Sequence, residues 1–188
     1  KARVSATLDF KPMSSALTQT RTAGDALKDI NSLHVLLYDG NTKELKRNWE
    51  IAKDKYTVFD ENRTNADAEN GNSAETTTKH ATLELPEEID FGQYYMYAVA
   101  NIPDLLTNSS YSEAIKTVDG LKSIPLTWDF EDMTANGQMI GYFTKTSAIQ
   151  PENEAIVLNK NSMNLHAWLR RAASKVTVAF DGSKLKEG

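Results

Sequence analysis

No cysteine occurs anywhere in the chain, which excludes a disulfide framework, thiol catalysis and thiolate zinc sites. Nor is there an apolar run approaching eighteen residues, so no transmembrane helix is expected. Basic clusters are equally scarce. The 21 Lys and Arg are spread along a chain of net charge −5, and the densest spot, Arg170-Arg171 with Lys175, is too small for a nucleic-acid footprint. Glycine is sparse, and its nine copies form neither G-x-G-x-x-G nor a phosphate loop. Catalytic patterns are lacking too. The three histidines, His34, His80 and His166, belong to no H-E-x-x-H pair, and no serine sits in a G-x-S-x-G elbow. Each histidine reads as an ordinary strand residue, and no cofactor or metal is expected.

What is present is period-two alternation. Val4, Ala6, Leu8 and Phe10 point one way, with Ser5, Thr7 and Asp9 opposite, the pattern of a half-buried strand. Leu33–Tyr38 is apolar on both faces and reads as a central strand, closed by an Asp39-Gly40-Asn41 turn in which Gly and Asn accept positive φ. Further strands are expected at Lys55–Phe59, His80–Leu85, Tyr94–Asn101, Ile124–Phe130, Met139–Thr144, Ala155–Leu158, Met163–Trp168 and Lys175–Phe180. Short strands divided by turn residues indicate an all-β sandwich or barrel rather than a βαβ fold. One short helix is expected, capped by Ser110 or Ser112, with Tyr111, Ala114, Ile115 and Val118 on one face and Gly120 ending it. The polar tract Asp60–Thr78 has no aliphatic side chain larger than Ala and reads as a mobile surface loop.

Two acidic stretches invite a chemical reading. Asp60, Asn62, Asn65, Asp67 and Glu69 offer oxygen ligands, but Thr64 and Asn65 break the order of an EF-hand. Asp129 and Glu131 would share one strand face, a spacing more usual in an exposed turn than in a glycosidase pair. Trp49, Trp128 and Trp168 each lie among apolar residues, so packing is favoured over sugar stacking. The residues thus point to a non-catalytic protein.

Several segments, in order, resemble the Bacteroides-type fimbrillin family. Arg21-Thr22-Ala23-Gly24-Asp25 and Leu33–Gly40 look like its opening, where an Arg-specific cut precedes a strand ending in a Tyr-Asn/Asp-Gly turn. Tyr94–Asn101 resembles its central strand with a terminal Ala-Asn pair, and Gln138-Met139-Ile140-Gly141 a later segment. Leu169-Arg170-Arg171-Ala172-Ala173-Ser174-Lys175-Val176 is similar to its Leu-x-Arg-x-x-Ala-Lys-Val run, here with Ser174 where Ala is common. The motif positions are Leu169, Arg171, Ala173, Lys175 and Val176.

The resemblance implies a transthyretin-like β-sandwich of short, mainly antiparallel strands. Residues 1–168 would form an N-terminal domain and 169–188 the opening strand of a second. It also implies export to an outer-membrane surface or fimbrium, with a lipid anchor on a cysteine preceding Lys1 as the sole membrane attachment. Partners would be other fimbrial subunits, an Arg-specific protease acting at Arg21-Thr22, and a host protein or glycan for a tip or adhesin role. In the strand-exchange mode, the strand carrying Val4, Ala6, Leu8 and Phe10 is removed after Arg21 and a neighbour's strand fills the slot.

Overall fold

The computed structural model describes residues 1–10, 27, 30–66, 73–124, 137–146 and 154–171. The expected strands Ile124–Phe130 and Lys175–Phe180 fall largely or wholly outside these residues, as do Arg21, Thr22, Trp128, Asp129, Glu131, Ala173, Lys175 and Val176.

The strands are β1 (Arg3–Phe10), β2 (Leu33–Asp39), β3 (Leu45–Glu50), β4 (Tyr56–Ala66), β5 (Ser73–Glu84), β6 (Gly92–Ala100), β7 (Met139–Thr144), β8 (Ile156–Leu158) and β9 (Ser162–Arg171). They join in one sheet of order β3-β2-β6-β7-β9-β1-β5-β4, with β8 pairing the start of β6. Among the described residues, every strand pairing is antiparallel except β1 with β9. The fold is all-β, as the alternation indicates.

The sheet curls around one core. Val35, Leu37 and Trp49 from one end of the strand order share a buried cluster with Ala81 and Leu83 from the other, and with Leu165 and Leu169 of β9. Alternation then sends the intervening residues to the outer face. On β2, β6 and β7 that face is not left to water. Leu36, Tyr38, Tyr97 and Val99 form a second buried cluster with Ile102, Leu105, Ile115, Val118 and Leu121. This second core explains why Leu33–Tyr38 is apolar on both faces.

Its cover is a pair of short helices, α1 (Ser109–Ala114) and α2 (Val118–Lys122), rather than one. Asn108 caps α1, accepting from the amides of Ser110 and Tyr111, in place of the expected serine. The break comes at Thr117, whose hydroxyl caps α2 by accepting from Gly120 N at 3.0 Å. Gly120 therefore lies inside the second helix, where an added Cβ would sit 2.0 Å from the Ala114 carbonyl oxygen. It is a close-approach glycine and not a stop.

Two other expectations are corrected. Positive φ in the turn after β2 falls on Lys43 (φ 59°), because the turn is wider than two residues. Asp39 Oδ1 accepts from the amides of Asn41 and Thr42, and Lys43 N returns to Asp39 O at 3.0 Å. The tract Asp60–Thr78 is largely strand. β4 and β5 pair in unbroken register from Tyr56↔Leu83 to Ala66↔Ser73, leaving 67–72 between them. Backbone pairing and β-branched Thr64, Thr76, Thr77 and Thr78 suit a ladder that hydrophobic counting overlooks.

Candidate functional site: the seat of the first strand

The strand singled out from sequence, β1, lies deep in the sheet. β5 runs antiparallel on one side, from Ser5↔Glu84 to Asp9↔His80, and β9 runs parallel on the other, from Arg3↔Ser162 to Phe10↔Leu169. Ala2, Val4 and Leu8 have no exposed surface and Ala6 has 2%. Burial of this inward row contributes on the order of 5 kcal/mol, taking Val and Leu at about 2 kcal/mol each and less for Ala. The start of the strand is fastened as well. Ala2 and Ile89 exchange backbone hydrogen bonds at 2.7 and 2.9 Å, Arg3 N donates to Asn161 O at 2.8 Å, and Leu85 N donates to Val4 O at 3.0 Å.

The outward face of β1 changes character along its length. Ser5 Oγ and Asn164 Oδ1 meet at 3.2 Å in a setting open to solvent. Four residues on, Asp9 is buried between histidines of both flanking strands. His166 Nε2 of β9 lies 2.5 Å from Asp9 Oδ2, and His80 Nδ1 of β5 is in ion-pair contact with Oδ1. Each side chain is less than a tenth exposed. The His166 ring also packs edge-on against Trp168, with centroids 5.1 Å apart. The two carboxylate oxygens are each taken up against a different imidazole and do not converge on an open position. Among the described residues no group of His, Asp or Glu is arranged to hold a metal ion.

Two of the three histidines read as ordinary strand residues therefore share one carboxylate. His34, the third, is buried on the outer face of β2, facing Glu50 across the β2–β3 pair. Burial lowers its pKa, against the opposing influence of Glu50 and the Ile102 backbone. Trp49 is buried, and its Nε1 donates to Glu87 Oε1 at 2.7 Å.

The segments that carried the family resemblance prove to be geometric devices. Tyr38 donates its hydroxyl to Ile115 O at 2.9 Å, tying β2 to α1, and burial raises its pKa well above the ordinary tyrosine value. Gly40 sits against Gln93, its amide donating to the Gln93 carbonyl at 2.9 Å, where a Cβ would come within 2.6 Å of that oxygen. Asn101 ends β6 in the left-handed region (φ 63°). It joins three segments: its amide donates to Ser32 O at 2.9 Å, Oδ1 accepts from Asn31 N at 2.7 Å, and Nδ2 donates to Gly137 O at 2.8 Å. At Gly141 of β7, a Cβ would stand 2.6 Å from the Trp168 carbonyl oxygen of β9. Leu169 is wholly buried in β9, and Arg171 closes that strand.

One concave feature lies on the outer face. A cleft of about 280 Å3 beside the helices is lined by Tyr97, Ile102, Leu121, Ile140, Tyr142 and Trp168 among others. It extends the second core, and its walls are chiefly apolar.

Fold and site together define an all-β protein whose first strand is gripped from both sides. Residues 2–178 match the family described as major fimbrial subunit protein (FimA), and the chain belongs to that family. Among solved structures it is similar to the tip fimbrial protein Mfa3 from Porphyromonas gingivalis with C-terminal truncation, at 14% identity and a TM-score of 0.38, covering 87% of this chain and 47% of that one. It is also similar to a fimbrial assembly protein from Parabacteroides distasonis, at 16% identity and a TM-score of 0.39, covering 87% and 50%. The chain thus spans about half the length of these two structures. No curated protein matches it. Among the described residues, no helix is long and apolar enough to cross a membrane.

Proposed function

We propose that this chain is a non-catalytic structural subunit of a cell-surface fimbria that assembles by strand exchange. β1 would be released by a cut between Arg21 and Thr22, and a strand from a neighbouring subunit would take its place. The observation that carries this reading is the seat itself. β1 is hydrogen-bonded on both sides and supplies an entire row of the inner core, yet it connects to β2 only through the segment containing Arg21. Once that segment is cut, nothing covalent ties β1 to β2–β9. Loss of β1 then opens an apolar slot edged by unpaired backbone groups of β5 and β9, the condition for strand addition.

The alternative within the same family is a tip, adhesin or anchor subunit, exported with an N-terminal lipid and binding a host protein or glycan through surface loops. Such a subunit would keep its first strand. Limited digestion with an Arg-specific protease, followed by mass spectrometry and size-exclusion chromatography, separates the two readings. Cleavage after Arg21 with loss of the first strand and growth of oligomers is the expected result. Resistance at Arg21, or a nicked protein that keeps the strand and stays monomeric, would overturn it.

A further inference from the structure

The Asp9 cluster is more than the seat needs for hydrophobic fit. Val4, Ala6 and Leu8 already fill the inner face, and a neutral outward residue would satisfy the alternation. Instead the strand carries a carboxylate level with the His80 imidazole of β5 and diagonal to the His166 imidazole of β9. A buried carboxylate is costly unless hydrogen-bonded donors surround it, and a buried donor is costly without an acceptor. His80 and His166 belong to the walls of the slot, so they would stay behind when β1 leaves. The vacated slot would then hold two imidazoles facing the place where an acceptor belongs.

The geometry points to a selective role for this pair: His80 and His166 read the identity and register of whichever strand occupies the seat of β1, admitting one that carries a carboxylate at the level of Asp9. The inference rests on the strand-exchange reading and adds the chemistry of the partner. The incoming strand has small or branched apolar side chains at alternate positions, matching Val4, Ala6 and Leu8. One residue beyond the last of them, on the opposite face, it carries Asp. Register follows from the same contact. A slip of one residue turns the carboxylate into the apolar core, and a slip of two takes it off its level with His80, in one direction away from both histidines and in the other to the level of Thr7, opposite His166. Thr7 and Ser5, the next outward positions back along the strand, cannot supply a charge. His166 lies level with Thr7 on the parallel side and His80 level with Asp9 on the antiparallel side, so the acceptor must sit between them.

The titratable groups in contact with Asp9 are His80 on β5 and His166 on β9, with Trp168 beside His166 as a neutral wall. Among the described residues, the ion-pair partners of Asp9 are histidines and not Lys or Arg. The two imidazoles are therefore the groups that discriminate.

Two experiments test this. In the intact chain, Asp9→Asn and His166→Gln are combined in a double-mutant cycle followed by urea unfolding. Each single change should lower the folding equilibrium constant by about 10-fold or more, because a bond to a charged group is lost. The double variant should lose clearly less than the product, by a factor of at least about 5. Independent losses would overturn the clamp. Nitrogen NMR of the imidazoles in the unsubstituted chain gives the same answer without a variant that must fold: Nε2 of His166 should report donation to a carboxylate, and its absence refutes the contact.

In the second experiment, the full chain nicked after Arg21 is incubated with labelled peptides of the sequence Arg3–Phe10, carrying either Asp or Asn at the position of Asp9. Incorporation of the Asp peptide with roughly 10-fold or greater preference supports the selection. Equal incorporation overturns the selection and leaves strand exchange standing. Incorporation of neither peptide overturns strand exchange and the selection that rests on it, while the cycle in the intact chain still reports on the clamp.

Discussion

Asn101 is the residue at which a sequence signature becomes a measurable energy. It sits at φ 63° directly after β6, and its side chain bridges Asn31 N and Gly137 O at 2.7 and 2.8 Å. Replacing it with alanine removes both side-chain bonds, worth about 1 kcal/mol each. It also leaves a residue with a Cβ and no local polar group in the left-handed region, at a cost of about 1 kcal/mol. The sum is about 3 kcal/mol. Glycine loses the same two bonds but accepts the backbone conformation, so Asn101→Gly should cost about 2 kcal/mol. Aspartate keeps the acceptor for Asn31 N and loses the donor to Gly137 O, which places it below alanine in cost.

Urea unfolding monitored by tryptophan fluorescence reads these differences. With a slope of about 2 kcal/mol/M, the midpoint should fall by about 1.5 M for alanine and about 1 M for glycine, with the slope unchanged. The order carries the test. An alanine variant within 0.5 kcal/mol of the natural protein would show that the three-way bridge contributes nothing net. A glycine variant less stable than alanine would show that backbone conformation is not what selects Asn here.

Two further outcomes follow from the same geometry. Gly141→Ala places a Cβ 2.6 Å from the Trp168 carbonyl, inside the sheet where β7 meets β9. The backbones must separate, so unfolding should show a loss of about 1–3 kcal/mol, and a neutral result would refute the close approach. His34 is held neutral by burial, with its folded pKa below the ordinary 6.5. Between the two values the unfolded chain binds the extra proton, so the contribution of His34 is complete above about pH 6.5 and is lost as pH falls below it. The stability difference between the natural chain and His34→Leu should therefore change with pH in that acidic window; a flat difference from pH 7 to 5 would sink the argument.

What could be read from sequence was whatever alternation alone decides. β1, β2, β6 and β7 each have one face committed to the inner core, so period two marks them, and Met139–Thr144 has the expected bounds. β3 escaped because it is an edge strand. Of Leu45–Glu50 only Trp49 is buried, and a register shift interrupts its pairing near Leu37 and Tyr38. The polar arm of β4 and β5 escaped because backbone pairing, not apolar content, builds it. The helix break at Thr117 was missed because Gly120, two residues beyond the start of α2, drew the boundary to itself. The Asp9 cluster was hidden for a different reason. Asp9 and His166 lie 157 positions apart, and only strand order sets their strands side by side. Alternation does predict that Asp9 and Leu8 face opposite ways. It cannot say which strands stand on either side.

Strand order also explains why the resembling segments came in the sequence they did. Tyr38 and Gly40 close β2, Tyr94–Asn101 covers β6, Gly141 lies on β7 and Leu169 on β9. In the sheet these strands are consecutive neighbours, β2-β6-β7-β9, and the next strand is β1. Each device fixes the spacing to the strand or segment beside it: Tyr38 edge-on to Tyr97 with centroids 5.8 Å apart, Asn101 to Gly137, and Gly141 to the backbone of Trp168. Together they form a chain of close contacts running across half the sheet and ending at the wall against which β1 lies. A side chain that sets one spacing in that chain sets the position of Leu169 and His166, and through them the shape of the slot. The polar arm lies on the other side of β1, beyond this chain of contacts, where its composition is free of those constraints.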